Sequence, residues 1–194
     1  LSPIIGYQLL QVQQQPPAVL KLSDTAIDLS AIAKGYGVDA VALWLEAYEL
    51  TDYLVEVGGE LRANGLKPDG SPWRIAIETP SIDARKIYQV VKVSNMAVAT
   101  SGNYRNYYEL EGRRYSHTLD PNTLRPVTHN LASVTVIDAS AATADALATA
   151  LMVMGGKKGV AWATMHQVPA YFIMKQSDGF VAQSTAGFNG YLEN

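Results

Sequence analysis

LASVTVIDASAATADALATALMVMG (residues 131–155) joins a short apolar run to a helix-forming stretch that contains a single charge. The first eight residues are typical of a strand, and the small and apolar residues after them predict a helix. Asp145 is the only charged residue between Ser140 and Met154. Because a carboxylate in an apolar helix usually needs a partner, the role of this residue is the first question that the sequence raises.

Two interpretations of Asp145 follow from the residues around it. If Thr143 is the N-cap, Asp145 lies in the first helical turn, where the positive end of the helix dipole favours an anion. Thr149 lies four residues further on and therefore shares a helix face with Asp145. A carboxylate and a hydroxyl on one face can hold a hard cation. The segment alone leaves both interpretations open.

The composition is that of one folded domain spanning residues 1–194. With 194 residues, 48% of them hydrophobic, the chain is long enough to bury a core. The formal net charge is −3 and the basic residues are scattered, which argues against nucleic-acid binding. The absence of cysteine excludes disulfides, thiolate metal sites and a cysteine nucleophile. No apolar run approaches the roughly 20 residues that span a bilayer.

Hydrophobic periodicity predicts an α+β fold with a largely antiparallel, mixed sheet and packed helices. Residues 27–30 (IDLS) lead into a helix for which Ser30 is placed as the N-cap, and a second helix bearing two lysines is expected at about 156–167. Strands and hairpins account for the other periodic segments. They are the hairpin of 7–13 with 18–22, the strands 53–57, 73–79, 88–94, 96–102 and 131–138, two strands around Glu111-Gly112, and a closing hairpin over 169–184.

Two glycines stand where the first helix begins. In DLSAIAKGYGVD (28–39), Gly35 and Gly37 cost a helix about 1 kcal/mol each relative to alanine. In one interpretation the small residues let the backbone approach an anion such as a phosphate, with Lys34 facing it. In the other, they allow the helix to pack closely on the sheet.

Three further segments carry polar residues at strand ends. VEVGGEL (55–61) has a Gly-Gly pair that permits a bulge or an unusual turn, or simply ends a strand. The hydroxyls and glycine backbone of ATSGNYRNY (99–107) could donate to a phosphate or form an ordinary turn. In RRYSHTLDP (113–121), His117 is a candidate general base or ligand-stacking group, although a single histidine in a strand is more often structural. The P-loop, H-E-x-x-H and G-x-S-x-G patterns are absent from the sequence.

Taken in order, these segments resemble the ApbE-like family, the FAD:protein FMN transferases, which were formerly called thiamine-biosynthesis lipoproteins. The resemblance extends over about residues 5–192 and rests on seven motifs in one order. They are DLSAIAKGYGVD, VEVGGEL, PWRIAIE, AVATSGNYRNY, RRYSHTLDPNTLRPV, LASVTVID and ADALATALMVMG. The resemblance implies an ApbE-like, T-fold-like domain. It also leads us to expect that the chain is the C-terminal portion of a longer protein.

The activity implied by the resemblance is Mg²⁺-dependent transfer of FMN from FAD to a Thr or Ser hydroxyl of a target protein, with release of AMP. The targets would be subunits of sodium-pumping NADH:quinone oxidoreductases or of Rnf-type electron-transfer complexes. The full-length protein would lie in the periplasm as an inner-membrane lipoprotein. Phosphoryl-type transfer depends mainly on positioning and charge neutralisation, which a hard cation bound by oxygen ligands provides.

The resemblance also implies a set of site residues. The metal ligands would be the main-chain carbonyl of Ala33, the carboxylate of Asp145 and the hydroxyl of Thr149. The flavin pocket would include Ser30, Tyr36, His117 and Leu119. His117 is in addition our candidate for the catalytic base, or for a group that orients the flavin.

Two motifs depart from the family pattern. Ala148 stands where some members carry a second aspartate, which leaves the number of bound ions open. Residues 56–60 read EVGGE where Asn-x-Gly-Gly-Asp is common. Two alternatives to the transferase also remain open: a Mg²⁺-dependent FAD pyrophosphatase that yields FMN and AMP, and a flavin-binding module without catalysis. We expect the full-length protein to be the active form.

Overall fold

The computed structural model describes residues 4–81, 86–103, 107–110, 113–116 and 118–193. Within them the chain forms two α-helices, α1 (Ala33–Ala47) and α2 (Ala141–Met165), and two short 3₁₀ helices, Tyr7–Leu9 and Ala186–Tyr191. The strands of the same residues are β1 (Leu10–Gln13), β2 (Ala18–Lys21), β3 (Tyr53–Val57), β4 (Glu60–Asn64), β5 (Trp73–Glu78), β6 (Ile87–Val93), β7 (Met96–Gly102), β8 (Tyr107–Leu110), β9 (Arg113–Ser116), β10 (Leu119–Asp120), β11 (Arg125–Pro126), β12 (Leu131–Asp138), β13 (Ala170–Gln176) and β14 (Gly179–Ser184).

Six strands form the central sheet in the order β14-β13-β12-β7-β4-β3, and every pairing in it is antiparallel. Four antiparallel pairs lie outside this sheet: β1 with β2, β5 with β6, β8 with β9, and β10 with β11. The predicted α+β class is therefore confirmed. Neither α-helix of the described residues combines the length and the apolar character that crossing a membrane would require.

The central sheet carries the helices on one face and the β5–β6 ribbon on the other. Val134 and Phe172 pack against apolar residues of α2, whereas Ile137 and Ile173 pack against side chains of β5 and β6. The first seven residues of β12 are buried as a result. A strand covered on both faces has small or apolar residues on both sides, which explains why only Ser133 and Thr135 interrupt the apolar residues of 131–137.

The Gly-Gly pair at residues 58–59 forms the turn of the β3–β4 hairpin. Val57 pairs with Glu60, so only these two glycines lie between the strands. Their φ angles are 61° and 99°, and a two-residue hairpin loop of this kind requires positive φ at both central positions. The Gly-Gly pair permitted an unusual turn here, but the residues after it carry no pattern that predicts strand β4.

Both predicted N-caps are wrong. Ser30 does not cap α1, whose N-cap is Ile32 without a side-chain hydrogen bond; the amide and hydroxyl of Ser30 instead donate to Asp28 at 2.7 and 2.5 Å. Ser140, not Thr143, caps α2, and its hydroxyl accepts from the Thr143 amide at 3.2 Å. Helix α2 therefore begins earlier than predicted, and Asp145 lies beyond its first turn.

Helix α2 is broken at Gly155, close to the predicted boundary between two helices. Gly155 has φ 75° and ψ 171°, a backbone conformation open essentially to glycine alone. His129 lies against it, and its Nε2 is 2.7 Å from the carbonyl oxygen of Met152. Because a carbonyl only accepts, Nε2 carries the proton in this contact. His129 therefore caps the first half of α2.

We predict that Gly155→Ala lowers the free energy of unfolding by about 2–4 kcal/mol, because it adds a backbone penalty and a steric clash. A Cβ at this position would lie 2.6 Å from Cδ2 of His129. Gly70→Ala is the matched control: Gly70 has φ 76° and nothing within 4 Å of its added Cβ. It should cost only about 1–2 kcal/mol. Urea unfolding measures both, and equal losses would contradict a clash at His129.

Candidate active site

The starts of the two α-helices meet at Gly35. A Cβ on Gly35 would lie only 2.2 Å from the carbonyl oxygen of Ala141. Such a distance is far inside van der Waals contact, so the two backbones can approach this closely only where α1 carries no side chain. Gly35 thus supports the interpretation of close packing, although its partner is a helix and not the sheet. A Cβ on Gly37 would make only an ordinary contact, 3.9 Å from Val57.

A carboxylate of α1 binds the start of α2. Asp39 accepts from the Ser140 hydroxyl at 2.8 Å and from the amides of Ala141 and Ala142 at 3.0 Å each. Arg62 donates to the same carboxylate at 3.0 Å. Partial burial raises the pKa of Asp39, but these donors outweigh it and hold the pKa below its ordinary value. The unsatisfied N–H groups of the α2 start are thereby paired.

A carboxylate of α2 in turn binds the start of α1. Asp145 is 3% exposed, and its Oδ2 accepts from the Gly35 amide at 3.0 Å. The interpretation of Asp145 as a first-turn carboxylate of its own helix is therefore wrong, because the N–H group that it binds belongs to α1. The second oxygen of Asp145, Oδ1, is not used in this contact.

A pocket of about 230 Å³ opens between the start of α1, the middle of α2 and the end of β7. Asp145 and Thr149 both line it, as expected for residues one turn apart on a helix. The Thr149 hydroxyl lies 3.1 Å from the hydroxyl of Ser101, which holds α2 and β7 together at the pocket wall. The rest of the lining, which is mainly polar, consists of Ser30, Lys34, Thr100, Gly102, Thr118 and Met152.

Lys34 of the pocket forms an ion pair with Glu60, the first residue of β4. Glu60 is 2% exposed, and the amide of Thr100 lies 3.4 Å from its other oxygen. Burial raises the pKa of Glu60, and Lys34 opposes that shift. The burial of Glu60, beside the Gly-Gly pair, was not predicted from the sequence. No local pattern signals it, because its partner lies 26 residues away.

The sequence matches the family model described as the ApbE family over residues 1–172. The chain belongs to the ApbE family. A curated relative from Vibrio cholerae serotype O1, named FAD:protein FMN transferase, is 51% identical over 166 residues, which are 86% of this chain and 50% of the relative. A protein of the same name from Escherichia coli K12 is 42% identical over 171 residues, or 88% of this chain and 49% of the relative.

Solved structures agree with the assignment to the ApbE family. The apo form of Pseudomonas stutzeri flavinyl transferase ApbE has a TM-score of 0.86 at 47% identity, covering 97% of this chain and 58% of that one. Flavin transferase ApbE from Vibrio cholerae has a TM-score of 0.87 at 44% identity, covering 98% of this chain and 60% of that one. The chain spans about half the length of the curated relatives it matches.

Two of the three metal ligands implied by the ApbE resemblance line the pocket, namely Asp145 and Thr149. The third, Ala33, is the first residue of α1, two positions before the glycine that binds Asp145. Among the described residues, no three His, Cys, Asp or Glu side chains cluster as a metal site. A cation here would therefore depend on hydroxyl and main-chain oxygens beside the single carboxylate.

The flavin-pocket residues implied by the resemblance are more scattered. Ser30 lines the pocket, whereas Tyr36 is 68% exposed on α1 and Leu119 is 56% exposed on β10. Neither of the last two belongs to the pocket lining. His117, the candidate base, lies outside the described residues. The structure therefore brings Asp145, Thr149 and Ser30 together around one pocket, with Tyr36 and Leu119 outside its lining.

We predict that Asp39→Asn lowers the free energy of unfolding by about 1–2 kcal/mol at pH 7, because it weakens the capping of α2. Because folding lowers the pKa of Asp39, its carboxylate stabilises the folded state at pH values above its ordinary pKa near 3.9. This stabilisation is lost as the pH falls through the pKa of Asp39 in the folded state. Wild type and variant should therefore converge in stability on acidification. Urea unfolding between pH 2 and 7 tests this, at pH values where the folded state persists.

The exposed Asp178, in the turn before β14, provides the control for this experiment. Asp178→Asn should leave the unfolding free energy within about 0.5 kcal/mol of wild type, as is usual for surface substitutions. A loss in Asp39→Asn that is the same at every pH would contradict the assignment, because the contribution of a titrating carboxylate must fade on protonation.

Proposed function

We propose that the full-length protein transfers FMN from FAD to a Thr or Ser hydroxyl of a target protein and releases AMP. Oxygen of the hydroxyl attacks the phosphorus of the FMN half, the bond to the AMP oxygen breaks, and the hydroxyl proton passes to a base. The observation that carries the proposal is that Asp145 and Thr149 line one polar pocket with Lys34. The relatives named FAD:protein FMN transferase support the same reaction.

The residues present fit a magnesium ion. Asp145 is almost completely buried at the wall of the pocket, and its contact with the Gly35 amide uses Oδ2. A buried carboxylate beside a polar pocket is compensated by a cation or by further donors. The oxygen donors Asp145, Thr149 and the carbonyl of Ala33 are of the type that Mg²⁺ prefers. When bound, the ion would neutralise the charge that develops on the phosphate oxygens.

The other pocket residues would orient the diphosphate. The hydroxyl of Ser101 can donate to a phosphate oxygen, and the Gly102 backbone leaves the end of β7 open to a ligand. We further propose His117 as the base that accepts the hydroxyl proton, and Tyr36 and Leu119 as flavin contacts. These three roles rest on the family resemblance. Electrostatic positioning of this kind provides most of the rate in phosphoryl-type transfer.

The target proteins and the cellular location of the full-length protein are likewise proposed from the family resemblance. The resemblance favours subunits of sodium-pumping NADH:quinone oxidoreductases or of Rnf-type complexes as acceptors of FMN. It also favours a periplasmic protein held at the inner membrane by a lipid anchor. Labelling of such a subunit by the full-length protein, followed by mass spectrometry of the flavin-bearing peptide, tests the acceptor directly.

We predict that Asp145→Asn abolishes Mg²⁺-dependent FMN transfer by the full-length protein, with a loss of at least about 100-fold in kcat/KM. Asparagine keeps an oxygen that can accept from the Gly35 amide, so the contact between the helices survives while the negative charge is lost. Flavin fluorescence of the labelled target after gel electrophoresis gives the rate. Full Mg²⁺-dependent turnover in the variant would show that Asp145 does not bind the metal.

Thr149 allows a second test with a control on the same helix. Thr149→Val removes a pocket hydroxyl, whereas Thr143→Val removes an exposed hydroxyl from the first turn of α2. We predict that Thr149→Val raises the Mg²⁺ concentration needed for half-maximal transfer about tenfold, as expected for loss of one oxygen ligand. Thr143→Val should leave it unchanged. Equal Mg²⁺ requirements in the two variants would contradict the assignment of Thr149.

The same assay separates the transferase from its alternatives. Incubation with FAD, Mg²⁺ and a target subunit should yield flavin-labelled target and AMP in equal amounts. Free FMN with AMP and without labelled target would indicate a pyrophosphatase instead. Flavin binding without release of AMP would indicate a binding module.

A further inference from the structure

Two separate motifs of the sequence meet at the side chain of Lys34. Lys34 is the second residue of α1, lines the pocket and has a side chain that is 44% exposed. Its ammonium group pairs with Glu60, which follows the hairpin turn. A Cβ on Gly58 would lie 3.0 Å from Cδ of Lys34, so the turn lies directly against the aliphatic part of the lysine. The lysine side chain is thus held both along its aliphatic part and at its ammonium group.

Glu60 is unusual for its position in the fold. Its carboxylate is 2% exposed at the start of an inner strand of the central sheet. A buried carboxylate is destabilising unless hydrogen bonds and an opposite charge compensate it. Lys34 provides that charge. Among the described residues, the Thr100 amide adds a second and longer contact, at 3.4 Å. The pair therefore fixes where the ammonium lies.

The ammonium of Lys34 retains donors for a ligand. An ammonium has three N–H groups, and one of them is directed to Glu60. The side chain remains partly exposed, and it shares the pocket with the hydroxyl of Ser101. A cation beside a hydroxyl donor suits a group with several anionic oxygens, such as a phosphate.

We propose that Lys34 binds a phosphate of the FAD diphosphate, and that Glu60 and the Gly58–Gly59 turn are positioning elements that hold it in the pocket. This inference rests on the proposed function, since FAD is the ligand it assumes. It explains why a glycine pair and a buried glutamate occur together at the β3–β4 hairpin. The competing explanation is structural: Lys34 serves only to neutralise Glu60.

Binding measurements on the full-length protein distinguish the two explanations. Quenching of flavin fluorescence, in the presence of Mg²⁺, gives the Kd for FAD and for riboflavin, which lacks phosphates. Lys34→Met should weaken FAD binding by about 10- to 100-fold, the loss expected for one charge-assisted hydrogen bond. Riboflavin binding should change less than about twofold. Lys67→Met, at a loop lysine paired with Asp69, is the control and should leave both constants unchanged.

The double variant Lys34→Met/Glu60→Gln supplies the decisive comparison. It removes both charges of the pair, so no uncompensated carboxylate is left buried. If Lys34 binds phosphate, FAD affinity stays as low as in Lys34→Met. If Lys34 only neutralises Glu60, FAD affinity returns to the wild-type value, and the proposal is overturned. The double variant also keeps the test available should Lys34→Met alone fail to fold.

Glu60→Gln tests the positioning role by itself. Glutamine can still accept from Lys34 but no longer attracts it by charge, so we expect KM for FAD to rise about three- to tenfold while kcat changes little. An unchanged KM would show that Glu60 does not position Lys34. A further outcome is that the wild-type protein does not transfer FMN, while Lys34→Met still weakens binding of FAD and not of riboflavin. That result would overturn the proposed function and leave this inference standing.

Discussion

The architecture depends on a reciprocal contact in which each α-helix carries a carboxylate that binds the start of the other. Asp39 of α1 accepts from the first N–H groups of α2, and Asp145 of α2 accepts from Gly35 near the start of α1. Helix starts carry partial positive charge and unpaired donors, so both contacts are favourable electrostatically and by hydrogen bonding. The contact requires glycine at position 35, because the carbonyl of Ala141 occupies the place of a Cβ. Asp145 is thereby fixed at the pocket.

Much of the fold could be predicted from local patterns. Strands β7 and β12 have the bounds that alternation and apolar runs predicted, since their residues carry the pattern of burial directly. Strand β4 was missed because its inward residues include Glu60, which a hydrophobic pattern cannot identify as buried. The two caps were misplaced for a related reason. Asp39 supplies the cap of α2 from about 100 residues away, together with the local Ser140, so local rules gave too late a start.

The candidate site could be predicted only where its residues share one helix. Asp145 and Thr149 are four positions apart, and that spacing alone placed both on one face. The contacts that define the rest of the pocket join distant segments: Gly35 with Asp145, Lys34 with Glu60, and Ser101 with Thr149. Glu60 and Ser101 are ordinary polar residues within their own segments. Their association follows from the order of strands in the sheet and from the crossing of the helices, and neither is encoded in a short window.

The balance of charge in the pocket links the cation to the diphosphate. Glu60 and Asp145 are close enough for the charge of Asp145 to raise the pKa of Glu60, after the larger effect of burial. Among the described residues that line the pocket, Lys34 carries the positive charge, and it pairs with Glu60. Without a cation, an anionic ligand would therefore meet excess negative charge. In the proposed function, a divalent ion at Asp145 reverses that excess, so the ion and the diphosphate should each strengthen binding of the other. Holding Lys34 against Glu60 leaves Asp145 free to bind the ion, which a lysine paired with Asp145 would exclude.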